Sequence, residues 1–175
     1  MSPLKHLERL IATKLPWLAA HGLCLKKHGD LIETLIAGTS EMLKRLQARF
    51  GDEVYRITER ANFELGQALG ERMKREYGLG GTVKDGLTLI QMEIIPFGIQ
   101  MRVLLETDDE VTFEKTHCPM FDAFRRQGVD YCDLICMSAA RGALATLSPS
   151  LRLDLTRRPG EGHYCQKRLH RVLSA

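Results

Sequence analysis

The spacing of apolar residues first turns from helical to strand-like at Pro96-Phe97-Gly98, and that change restricts the fold more than any other feature. Before it, Val54, Ile57, Ala61, Leu65, Ala68, Leu69 and Met73 keep a helical period over 52–77. Arg56, Glu59, Arg60, Glu64, Glu71 and Arg72 fall on the polar side. After it, Ile99, Met101, Val103 and Leu105 alternate with Gln100, Arg102 and Glu106. Beyond Thr107-Asp108-Asp109, Val111, Phe113 and Lys115 alternate with Thr112, Glu114 and Thr116, which predicts an antiparallel hairpin. A helical half followed by a strand-bearing half is an α+β arrangement.

The remaining segments fill in this plan. Ser2-Pro3 opens a helix carrying Leu4, Leu7, Leu10 and Ile11 that stops near Pro16. Leu31, Leu35, Met42, Leu43 and Leu46 mark a second, with an expected interruption at Gly38-Thr39-Ser40. Gly66 and Gly70, four apart, allow another backbone to approach the long helix closely. Gly78 to Gly81 breaks that helix, and Thr82 caps the next, which carries Val83, Leu87, Ile90 and Ile94. A helix over 119–127 ends at Gly128, and another spans the cysteine segment VDYCDLICMSAARGALATL to about Leu147. Then Leu151, Leu153 and Leu155 alternate with Arg152, Asp154 and Thr156 before Pro159-Gly160-Glu161-Gly162 turns the chain into HYCQKRLHRV. The expected fold is therefore α+β: a helical N-terminal half, then a β-β-α-α-β-β antiparallel-sheet portion. Residues 1–81 should pack on 82–175 to form one structural domain.

At 175 residues the chain can bury one sizeable core, and its 44% hydrophobic and 27% charged content is ordinary for a globular protein. No apolar run approaches the roughly 20 residues of a membrane span. The charged N-terminus does not read as a secretory signal, so a cytoplasmic, reducing location is expected, where clustered cysteines point to metal binding or catalysis rather than disulfides. From Ser150 onward Arg152, Arg157, Arg158, Lys167, Arg168 and Arg171 outnumber Asp154 and Glu161, so this end attracts anions or forms a solvated strand face. An aromatic content of 6% and the absence of a nucleic-acid motif argue against nucleic-acid binding. The amphipathic helices suit a homodimer and a monomer's core equally.

Four of the five cysteines, Cys118, Cys132, Cys136 and Cys165, fall in the last third, while Cys24 stands apart as a packing thiol. Cys132 and Cys136 share a helix face, Cys118 follows a strand, and Cys165 follows a turn. Four thiolates suit a zinc ion or an iron-sulfur cluster, although C-x13-C-x3-C-x28-C matches no generic pattern for either, and small buried thiols read the same way. Metal ligation by Cys118, Cys132, Cys136 and Cys165 is the expectation carried forward. His163, two residues before Cys165, would share its strand face and serve as ligand or proton carrier; His117, beside Cys118, would point away. Asp133 is a candidate base or ligand. A thiolate nucleophile beside His163 is the metal-free alternative.

The order strand, Cys118-Pro119, short helix ending at Gly128, Cys132 and Cys136 on a helix, strand, Gly160-Glu161-Gly162 turn and Cys165 resembles the L-2-amino-thiazoline-4-carboxylate hydrolase-like family. More distantly it is similar to vinyl-reductase-type small-molecule-binding domains. The likeness covers roughly Ile99 to Val172. Arg158 stands where vinyl-reductase-type domains place a further cysteine, which favours the hydrolase-like likeness. The resemblance implies a small-molecule ligand or substrate, with Arg158 or Arg168 holding its carboxylate and His163 and Asp133 as acid-base groups. It also implies an alternative, a binding or redox-sensing module with a structural metal.

Overall fold

A computed structural model of the chain describes residues 29–172. The helix expected from Ser2-Pro3, and Cys24, lie outside these residues. Helix α1 runs over 29–50 without the interruption expected at Gly38-Thr39-Ser40. Its buried stripe is Ile32, Ile36, Ser40 and Leu43, so burial stays in helical phase straight through Ser40 and overrides the weak local propensity. Leu31, Leu35 and Met42, one step out of that phase, are exposed.

Helix α2 spans Glu53–Tyr77 and buries Val54, Gly66, Gly70 and Met73 rather than the larger side chains at Ile57 and Leu65. The glycines explain this choice. A Cβ at Gly66 would lie 2.0 Å from the Ala139 carbonyl oxygen, and one at Gly142 would lie 2.0 Å from that of Phe63. Two helix backbones therefore touch, which only residues without side chains permit. Helix α3, Val83–Ile94, starts with Thr82 and Asp85 in a reciprocal capping box, and a short turn at Ile95–Phe97 leads into the sheet.

Strands β1 (Gln100–Glu106) and β2 (Glu110–His117) form the first hairpin, and β3 (Leu151–Arg157) and β4 (Gln166–Arg171) the second. They assemble as one antiparallel sheet in the order β1-β2-β4-β3, with α4 (Pro119–Arg126) and α5 (Ser138–Leu147) between the hairpins. The segment Cys132–Met137 that leads into α5 is wound as a π-helix. The inner sheet face presents Val111, Phe113, Leu151, Leu153 and Leu169 to Val83, Leu89, Met137 and Leu144. A second core joins Ile32, Leu43 and Val54 to Phe121, Phe124 and Tyr131. The α+β class and its element order agree with the sequence. No helix among the described residues is long and apolar enough to cross a membrane.

A lysine and cysteine pocket as candidate active site

Strand alternation carries two lysines onto the apolar face of the sheet. On β2, Lys115 follows Val111 and Phe113 inward and is 6% exposed; on β4, Lys167 precedes Leu169 inward and is 5% exposed. Phe113 pairs with Lys167 in the ladder, and the Lys115 amide donates to the Cys165 carbonyl at 3.0 Å, so both amines rise from neighbouring points of one surface. Cys118, just past β2, opens α4; Cys132 and Cys136 lie in the π-helical segment; Cys165 immediately precedes β4. All four cysteines and both lysines border one cavity of about 10 Å³, barely room for a water molecule.

The four cysteines thus surround one space, but not as the expected tetrathiolate. Among the described residues, no three or more His, Cys, Asp or Glu side chains are grouped to hold a metal ion. The Lys115 ammonium lies among the sulfurs and donates toward Cys118 Sγ at 3.9 Å. As arranged, these residues do not fit a shared zinc ion or cluster. Burial pushes the Cys118 and Cys132 thiols up, which favours their neutral forms. Burial also opposes charge on Lys115, but thiolate charge on the surrounding cysteines, Cys136 foremost, outweighs burial and raises its pKa, so the lysine keeps its proton wherever one of these thiols ionises.

Cys136, Lys115 and Lys167 also border a larger cavity of about 190 Å³ beneath α2 and α3. Its walls are chiefly apolar, including Leu69, Ile90, Met101 and Phe113, and exposed Leu65 and Phe97 stand at its rim. The one carboxyl on its wall is Glu93 of α3. Burial pushes that carboxyl up to about 7, against the opposing pull of Lys167 and Lys115. Burial and the neighbouring Lys115 push Lys167 down. Among the described residues, neither the Lys167 amine nor the Glu93 carboxyl has a hydrogen bond or an ion pair. Two unpartnered ionisable groups in one apolar pocket form an arrangement that a ligand or substrate can complete.

Beside the cysteines, the other residues singled out from sequence, His163, Asp133, Arg158 and Arg168, lie elsewhere. His163 is exposed in the turn before β4, with its Nδ1 3.0 Å from the Glu161 carbonyl, so it does not share a strand face with Cys165. The Asp133 carboxylate and Arg158 guanidinium pair with each other at the surface, and Arg158 also lies 3.8 Å from Asp130. Arg168 points to the opposite sheet face, where it meets Asp154 at 3.4 Å. Glu93, Lys115 and Lys167 were missed as site residues. The signal for the lysines was in the alternation: each occupies an inward position where an apolar residue belongs. Nothing comparable marks Glu93.

A solved structure with a similar fold is that of trafficking protein particle complex subunit 3 from Naegleria fowleri, covalently bound to palmitic acid. It superposes with a TM-score of 0.56 over 81% of this chain and 95% of that one, at 17% identity. No curated protein matches the sequence. Residues 30–168, which include the first hairpin, β3, the start of β4, the four clustered cysteines and every residue of the pocket, match the L-2-amino-thiazoline-4-carboxylic acid hydrolase family, and the chain belongs to that family.

Proposed function

We propose that this protein hydrolyses a small, carboxylate-bearing heterocycle with a ring C=N bond, of the 2-amino-thiazoline-4-carboxylate class, in the pocket beneath α2 and α3. The observation that carries this reading is that Glu93 and Lys167, both unpartnered among the described residues, border the same apolar cavity. Family membership supplies the reaction class. Lys115 and Lys167 offer positive charge to the substrate carboxylate. Glu93 in its ionised form takes a proton from water while the water oxygen bonds to the C=N carbon. The π pair of the C=N bond moves to the ring nitrogen, then re-forms that double bond as the C–S bond breaks, and the isourea formed tautomerises to the urea. The same carboxyl gives its proton to the departing sulfur. Its pKa of about 7 suits both halves of that exchange near neutral pH.

Purified protein should open the thiazoline ring, and Glu93→Gln should lower kcat by about 100-fold or more. Unchanged turnover in that variant would remove Glu93 from the mechanism. Loss on His163→Ala or Asp133→Asn instead would move the chemistry to the turn and surface pair. A structural zinc ion or iron-sulfur cluster on Cys118, Cys132, Cys136 and Cys165 is a separate proposal, because Lys115 would have to withdraw for the sulfurs to close on one centre. Elemental analysis and an absorption spectrum after anaerobic purification read it directly.

A further inference from the structure

The walls of the pocket call for more than a small polar ring. From Lys167 and Lys115 at its base to Leu65 and Phe97 at its rim, the surface is almost wholly apolar. A thiazoline carboxylate would satisfy the base and leave that surface facing water. The base is asymmetric as well. Lys115 already donates toward Cys118, whereas Lys167 has no hydrogen-bond partner among the described residues although it is only 5% exposed. A buried amine without a partner is costly unless a ligand supplies one. Apolar walls leading to such a group are the usual form of a site that binds an apolar body and orients it by a single polar contact.

We infer that the pocket selects an amphipathic monocarboxylate, its carboxylate at Lys167 and an apolar arm reaching the rim at Leu65 and Phe97. This rests on reading the pocket as the substrate site, and it assigns that substrate an apolar substituent. Glu93 does not oppose the assignment, because below about pH 7 its carboxyl keeps its proton and can donate a hydrogen bond to the ligand. Orientation follows from chemistry: the carboxylate gains nothing at the apolar rim, and the arm gains nothing between two lysines.

Isothermal titration with octanoate, butanoate, octanol and octylamine tests this on the full chain. Octanoate should bind at least tenfold more tightly than butanoate, which lacks the arm, and than octanol or octylamine, which lack the anion. Lys167→Met should bind octanoate and octanol alike. Leu65→Trp, at an exposed position that leaves folding intact, should weaken octanoate and spare butanoate. The wild-type comparison of head groups needs no variant. Equal affinity for all four probes, or octanoate binding that Lys167→Met leaves unchanged, would overturn the inference. Turnover of 2-amino-thiazoline-4-carboxylate, measured in parallel, separates the two ideas. Lysine-dependent octanoate binding without turnover sustains the inference and removes the hydrolase reading; turnover in a protein that does not bind octanoate does the reverse.

Discussion

Glu93 links ligand chemistry to stability through one proton. Its carboxyl is pushed up to about 7 by burial, against a usual value of 4.5. Between those values the folded chain therefore holds a proton that the unfolded chain has released, and stability falls as pH rises through this window. Above pH 7 the full cost of the buried carboxylate is present, of order 3 kcal/mol. Glu93→Gln should flatten that part of the pH-stability curve and leave the protein more stable than wild type at pH 8. Chemical denaturation at pH 5, 6, 7 and 8 measures it, and parallel curves for the two proteins would refute the assignment. None of this was legible in the sequence, where Glu93 is one polar residue of an amphipathic helix. Its burial arises only because α3 lies over the sheet at the point where Lys115 and Lys167 emerge.

Among the elements, α2 and α5 set the pocket's roof by their close approach. Gly66 and Gly70 of α2 face Ala139 and Ala143, and Gly142 of α5 faces Phe63, in each case backbone against backbone. Gly142→Ala should destabilise the fold by about 3 kcal/mol, because the new methyl meets a carbonyl rather than a side chain that can rotate away. A thermal melt checks this; a change under about 0.5 kcal/mol, within the range of ordinary surface substitutions, would show that the helices can separate at little cost. The glycine spacing in α2 was readable in advance as a close-approach face. The stripe of α1 was not, since Leu31 and Leu35 carry as much apolar signal as Ile32 and Ile36, and only the position of α4 and α2 decides which pair is covered. The cysteine helix departs similarly: Cys132 and Cys136 lie four apart as expected, but on a π-helical segment, a winding that recurs at functional sites.

The molecule as a whole joins two cores, and the lysine and cysteine cluster lies where they meet. Cys118 and Cys132 belong to the core under α1 and α4, while Phe113 and Met137 beside the lysines belong to the core under α3 and α5. Burying Lys167 there without a partner sacrifices stability for a site, a common exchange where function needs a strained or polar interior. Lys167→Met should therefore raise Tm by about 3 °C while abolishing turnover of the thiazoline carboxylate. A lower Tm together with retained turnover would show that the amine serves packing alone. The sequence by itself determined the α+β class, both hairpins, the capped helix at Thr82 and the gathering of four cysteines, because period, turn residues and caps are local properties written at short spacing. Only the tertiary structure decided that two lysines and a glutamate, rather than His163, Asp133, Arg158 and Arg168, face the pocket. Which face of a strand or helix is covered depends on what packs against it, and that is a property of segments far apart in the chain.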